Sequence, residues 1–168
     1  MATRNPRLSN GGLLLLLGAV APLAVAFAAQ YWGGLQPCEL CIWQRWGYGV
    51  VAAFAMLSLL AAPAPTAQHM LLVLGGVAAF GVAGIAIFHV GVEQHWWPGF
   101  TECASPISGD MTTEEYEAAI LAAPVVRCDQ VAWSFAGISM AGYNVFYAIG
   151  LGLFAFLLSN PRSPSAEP

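Results

Sequence analysis

The chain has 168 residues, 58% of them hydrophobic and only 8% charged, with no lysine and a formal charge of −4. A soluble domain carries about 25% charged residues, so a water-soluble globular protein is excluded, and the acidic balance argues against nucleic acid as a partner. One compact domain that crosses a membrane several times fits this length and composition.

A helix crosses about 30 Å of hydrocarbon with roughly 20 mostly apolar residues. Four stretches meet that need: about 12–31, 42–62, 69–89 and 135–158. The first follows Arg4 and Arg7 and contains "AVA" at 24–26, which are features of a cleaved signal peptide. Its apolar run from Leu13 to Ala29 exceeds the roughly 7–15 residues of a signal h-region. Cleavage would also leave a Cys-x-x-Cys almost naked at the new terminus, so the segment is read as a retained span. A short turn, "YWGGLQPCELC", leads into the second span, and "AAPAPTAQ" leads into the third. Gly75, Gly76, Gly81 and Gly84 in the third span are expected to let neighbouring helices approach closely.

Residues 90–134 form a long loop that holds most of the acidic residues. Within it "TTEEYEAAILAAP" predicts a short helix, with Thr112 and Glu115 as a capping box and Pro124 after its end. Tyr116, Ala119, Ile120 and Ala123 make one apolar stripe on it, suited to a membrane surface or to the bundle. The expected fold is therefore an all-α membrane protein. It is a single domain over 1–168, a four-transmembrane-helix bundle whose second outer loop contains a short helix. Arg4, Arg7 and Arg162 favour both termini in the cytoplasm. Residues 32–41 and 90–134 then face outward together. Cys38, Cys41, Cys103 and Cys128 fall on that one face whichever way the chain is inserted.

An even number of cysteines outside the cytoplasm predicts disulfides, with three pairings open. Local pairing, Cys38–Cys41 and Cys103–Cys128, is the simplest. A zinc site usually needs two close pairs, and Cys103 and Cys128 stand alone; a c-type haem needs histidine where Ile42 stands. No metal is expected. A bridge across Cys-x-x-Cys closes too small a loop to stabilise much, and its common use is redox exchange. Pro37 suits the first turn of a helix, so the pair would sit at the outer end of the second span. Arg45 follows Cys41 by four residues, on the same face one turn deeper. A Cys41 thiolate there would feel the helix dipole and a guanidinium together. Arginine near a membrane is costly, and at the positive end of its own helix it calls for an acceptor. Two cysteine pairs suggest a relay, one meeting a protein in water and the other passing electrons to a lipid-soluble acceptor such as a quinone.

Four spans, "PCELCIWQR" entering the second, paired loop cysteines, and "RCDQVAWSFAGISMAGYN" at 127–144 resemble the DsbB family of bacterial membrane disulfide oxidases over nearly the whole chain. That family belongs to the DsbA–DsbB–quinone route that keeps the periplasm oxidising. The resemblance implies a multi-pass protein of the bacterial inner membrane with its cysteines on the periplasmic side. Cys103 would be attacked by a reduced DsbA-like thioredoxin-fold protein, Cys128 would resolve that bond and exchange with Cys38, and Cys41 would face the quinone, ubiquinone or menaquinone. Arg45 matches the family's quinone-side arginine. Vitamin-K-epoxide-reductase-like enzymes usually place the loop pair first, the reverse of the order here. His89, Glu93 and His95 are weaker site candidates, and Trp96, Trp97 and Trp133 read as interfacial belt residues. The rival reading is a non-enzymatic four-span scaffold or small transporter stapled by structural disulfides. It lacks the polar lining of an ion path.

Overall fold

Backbone groups in lipid find partners only within a helix or a closed barrel, and each long apolar run here folds as a helix. The computed structural model describes residues 6–99, 112–113 and 126–159. Helix α1 spans Pro6–Tyr31, α2 Glu39–Leu60, α3 Pro65–Glu93 and α4 Met140–Ser159, with strands β1 (Ser134–Phe135) and β2 (Ile138–Ser139) ahead of α4. Among the described residues, α1, α3 and α4 are long and apolar enough to cross a membrane. Helix α2 has 22 residues, but Glu39, Gln44 and Arg45 make its first two turns polar. The expected loop helix and its apolar stripe lie outside the described residues, apart from Thr112 and Thr113.

The helices pack side by side around small and branched residues. Leu15 and Ala19 of α1, Val51 and Ala55 of α2, Leu72 and Ala79 of α3, and Ala148 and Ala155 of α4 have no exposed surface. Large apolar side chains such as Leu17, Val77, Phe146 and Leu157 instead face outward, as lipid contact requires. At Gly76 α3 comes close to α4: a Cβ there would lie 3.1 Å from Ala155 Cβ and 3.3 Å from the Gly152 carbonyl oxygen. Gly81 and Gly84 have open space beside them, so of the four glycines expected to let neighbours approach, these two are not contact positions; a fifth glycine of α3, Gly91, lies against the Trp97 ring. Pro22 lies inside α1 and cannot donate to the Gly18 carbonyl one turn back. The Tyr147 hydroxyl of α4 donates to that carbonyl at 2.7 Å.

The two ends of the bundle differ. At one end Gln68 of α3 donates to Ser9 of α1 at 3.4 Å, and His69 meets the Ser159 carbonyl at the end of α4 at 2.6 Å. The start of α1, the start of α3 and the end of α4 are thus together, and α2 carries the chain back to them from the Tyr31 end.

Two boundaries differ from those expected of the sequence. Cys38 is the N-cap of α2, so Pro37 precedes the helix instead of opening it. Helix α4 begins at Met140, whereas the sequence pattern opens the last apolar segment near residue 135. Residues 134–139 form a hairpin with Ser134 opposite Ser139 and Phe135 opposite Ile138. Its turn, Ala136 and Gly137, has φ of 49° and 79°, the left-handed geometry that two-residue hairpins need. Ser139 then ends the strand and accepts from the Gly142 N–H at 3.1 Å, an N-cap contact.

Candidate functional site

The outer end of α2 gathers the sulfur chemistry. A helix leaves its first N–H groups without partners inside the helix, and at α2 a sulfur takes one of them. Cys38 Sγ accepts from the Cys41 N–H at 3.4 Å, and the two sulfurs are 3.0 Å apart with the Cys38 thiol donating to Cys41. That hydrogen bond first, and burial second, push the Cys38 thiol above the usual range. Cys38 keeps its proton, and the geometry offers negative charge to Cys41.

Cys128 joins this pair. Cys38, Leu40, Val92 and Cys128 form one buried cluster, with Cys41, Ile85, Phe88 and Val126 packed against it. The chain returning from the long loop therefore delivers Cys128 to the cysteine that caps α2. Beside it, Arg127 and Asp129 form an exposed ion pair, and the Arg127 guanidinium holds the Asp129 carboxyl below its usual range. Cys103 lies outside the described residues.

Below the cysteines a cavity of about 400 Å³ opens among α1, α2 and α4, lined by Cys38, Cys41 and Arg45 on one side and by Ala26, Trp133 and Tyr147 on the other. Arg45 finds the acceptors its position demands: Nη1 donates to Gln30 Oε1 at 2.5 Å and Nη2 to the Ala26 carbonyl at 3.3 Å. The Phe27 ring lies 5.0 Å from its Cζ, within cation–π range. Its Nε is buried and has no hydrogen-bond partner. A buried donor without a partner costs about 1–3 kcal/mol, so this edge of the guanidinium is ready for an acceptor.

The weaker sequence candidates separate. His89 and Glu93 are buried at 4% and 8% exposure and line the same cavity. His89 Nε2 is 3.5 Å from Cys38 Sγ, and the Cys128 backbone also meets the ring. Glu93 Oε1 lies 3.9 Å from His89 Nε2, and Glu93 Oε2 accepts from the Ser139 hydroxyl. His89 is thus a buried, hydrogen-bonded histidine at the end of α3. His95 is exposed in the turn after α3, with φ of 59°. Trp97 folds back onto α3, stacking on Phe88 and donating to the Phe88 carbonyl at 3.0 Å. Trp96 and Trp133 remain at least 44% exposed, as belt residues do.

Sequence reasoning missed Gln44, Asn144 and Tyr48, which reach the site from α2 and α4. The available signal was that polar residues in a span are rare and usually face a partner. Cys38, Cys41 and His89 also present three metal-ligand atoms within 4.8 Å of one another, but all three belong to the sulfur site already described.

Comparison with known proteins agrees with this geometry. A family model described as disulfide bond formation protein DsbB matches residues 9–158. A disulfide bond formation protein B of Xanthomonas axonopodis pv. citri is 33% identical over 147 residues, covering 85% of each chain. One of Methylococcus capsulatus is 34% identical over 151 residues, covering 86% of this chain and 90% of its own. One of Polaromonas naphthalenivorans is 31% identical over 153 residues, covering 86% and 87%. No solved structure matches the chain.

Proposed function

The chain belongs to the DsbB family of disulfide bond formation proteins, and on that footing we propose that it reoxidises a DsbA-like periplasmic thioredoxin-fold protein and passes the electrons to a membrane quinone. Family and apolar helices together make it a membrane-embedded disulfide oxidoreductase. The observation that carries the relay reading is the shared buried cluster of Cys38 and Cys128, set over a cavity that Cys41 and Arg45 line.

The proposed relay starts with Cys103–Cys128 and Cys38–Cys41 both oxidised. A thiolate of the partner attacks Cys103, the Cys103–Cys128 bond breaks, and its electron pair leaves on Cys128. The second thiol of the partner then releases Cys103, and the partner leaves oxidised. Cys128 attacks Cys38, the Cys38–Cys41 bond breaks, and the pair leaves on Cys41 at the cavity. Cys103 then attacks Cys128, reforming the loop disulfide and releasing Cys38. Two electrons and two protons have moved from the partner to the Cys38–Cys41 pair.

The residues fit a quinone. Arg45 would hold one of its carbonyl oxygens through the buried Nε that has no partner, and the apolar walls from α1 and α4 suit a ring. A quinone takes up two electrons and two protons and leaves as the quinol. The other residues act on the chain's own sulfurs: the first turn of α2 supports charge on Cys41, and the cluster around Cys38 excludes water during exchange.

The test is quinone reduction by membranes containing this protein, driven by a reduced DsbA-like partner. Quinone absorbance should fall with the intact chain and stay flat with Cys41→Ser. Reduction that persisted in Cys41→Ser would sink the mechanism. No reduction with any thioredoxin-fold partner or quinone would return the cysteines to the role of staples.

A further inference from the structure

Behind Cys38 runs a file of polar side chains whose donors and acceptors all point one way. The Tyr48 hydroxyl of α2 donates to Asn144 Oδ1 of α4. Asn144 Nδ2 donates to Gln44 Oε1 at 2.6 Å, and Gln44 Nε2 meets His89 Nδ1 at 3.1 Å. Tyr48, Gln44 and His89 are 3%, 7% and 4% exposed and Asn144 is half-buried, so water has little access to these bonds. Each amide is oriented by the one before it. An amide nitrogen can only donate, so Nδ1 must accept, and a neutral imidazole that accepts on Nδ1 carries its proton on Nε2. That Nε2 faces Cys38 Sγ at 3.5 Å.

We propose that Tyr48, Asn144 and Gln44 are positioning residues that fix His89 as an Nε2–H donor to the Cys38 sulfur, so that negative charge is stabilised on Cys38 as it departs from a disulfide. The step is the one in which Cys103 attacks Cys128: a Cys103–Cys128 bond forms, the Cys128–Cys38 bond breaks, and the electron pair leaves on Cys38. This use of the file rests on the relay reading. Charge on Cys38 is difficult at that moment because Cys41 already carries the pair released earlier, 3.0 Å away in the reduced arrangement. The other ionisable groups around the sulfur are Arg45 of α2, Glu93 of α3, and Arg127 and Cys128 ahead of β1. The Arg45 Nη groups are engaged by Gln30 and Ala26, its Nε lines the cavity and is assigned to the quinone, and Arg127 is engaged by Asp129. Glu93 is an acceptor in its charged form and competes for the same Nε2–H from 3.9 Å, as does the Cys128 backbone that meets the ring. Among the described side chains, His89 is the one with a ring N–H at Cys38.

Two measurements test this without partner or quinone. In the full-length reduced protein labelled with ¹⁵N-histidine, the His89 resonances, identified by their loss in His89→Gln, should show the proton on Nε2. Asn144→Asp places a carboxylate, an acceptor only, between Tyr48 and Gln44. Gln44 must then turn its NH₂ toward the introduced carboxylate and its oxygen toward His89, moving the ring proton to Nδ1. Gln44→Glu presents an acceptor to Nδ1 directly and should protonate that nitrogen too. The second measurement uses a full-length chain whose only cysteine is Cys38, loaded as a mixed disulfide with glutathione and reduced by excess dithiothreitol at pH 8. Attack on the exposed glutathione sulfur makes Cys38 the departing thiolate. Release should slow about tenfold in Asn144→Asp, the scale of one hydrogen bond to a charged group. It should also slow in His89→Leu, and stay within about twofold in His89→Gln, whose amide still donates. A proton found on Nδ1 of the unaltered protein, a tautomer unmoved by both acceptor substitutions, or equal release from His89→Gln and His89→Leu would each overturn the proposal. If the tautomer and release behave as stated but membranes reduce no quinone, the relay reading fails and the positioning of His89 stands.

Discussion

A cysteine that caps a helix and a cysteine three residues inside it cannot be chemically equal. Cys38 donates to Cys41 and is buried, so its thiol holds a proton well above neutral pH. The sign follows from the hydrogen bond: Cys38 is the donor, and losing its proton would set two negative sulfurs side by side. In the reduced, quinone-free protein at pH 7, iodoacetamide should therefore modify Cys41 first and leave Cys38 largely untouched, as peptide mass spectrometry of a brief reaction would show. Preferential labelling of Cys38 would reverse the assignment. Arg45 supports a second prediction. Its Nη groups are satisfied by Gln30 and Ala26 while its Nε is not, so Arg45→Ala should raise the KM for quinone about tenfold or more, the scale of one hydrogen bond to a charged donor. Thermal unfolding should move little, since the lost bonds lie at the rim of a cavity. Unchanged quinone kinetics would make Arg45 a membrane anchor. Cys38, Cys41 and Arg45 were all legible in the sequence because their spacing, i, i+3 and i+7, is local to the start of one helix. The file from Tyr48 to His89 was not, since Gln44 and His89 are 45 positions apart and Gln44 and Asn144 are 100 apart.

Elements were easier to find than their ends. Apolar runs locate the helices because the backbone has no other solution in lipid. A run says nothing about the polar turns beyond it, so α1 begins at Pro6 and α3 reaches Glu93, several residues outside the apolar stretches. The start of the fourth span misled for a different reason: "SFAGIS" is apolar enough to count as membrane, yet Ala136–Gly137 is a hairpin turn and Ser139 is a cap. Gly75, Gly76, Gly81 and Gly84 of α3 show the same limit, since composition marks all four as contact positions while helix rotation lets only the first two face neighbours. Gly76→Val should destabilise the bundle by about 1–3 kcal/mol through overpacking, because Ala155 and the Gly152 backbone already crowd that position. Gly81→Ala meets nothing within 4 Å and should be neutral or stabilising by up to about 1 kcal/mol through helix propensity. Reversible unfolding in mixed detergent micelles compares the two. Equal losses would mean that α3 is rotated from the orientation described.

For the whole molecule, the question is which side of the membrane each end of the bundle faces, and α2 decides it. Its 22 residues reach about 33 Å at 1.5 Å per residue, enough for about 30 Å of hydrocarbon. Its polar start is the sulfur site itself, so the feature that keeps α2 from matching the other three helices as an apolar span is also the one that gives it chemistry. Packing argues that it crosses. Ser9 at the start of α1 bonds Gln68 at the start of α3, while Tyr31, at the far end of α1, leads into α2. If α1 crosses, the chain can return from Tyr31 to Pro65 only by crossing again. The cysteines at the Tyr31 end and the Pro65 turn would then face opposite compartments. In a chain with its native cysteines replaced, Trp32→Cys, at a position 90% exposed, should react in intact spheroplasts with a membrane-impermeant maleimide. Thr66→Cys, at the opposite end and also exposed, should react only after the membrane is permeabilised. Labelling of both from outside would mean that α2 lies along the membrane surface. Labelling of Thr66→Cys alone would invert the protein and place its sulfur site in the reducing cytoplasm, where disulfides are rarely kept. The expected pattern leaves the site exposed to an oxidising compartment and the Pro6 end of α1 and the Ser159 end of α4 on the other side, the arrangement the proposed thiol oxidation needs.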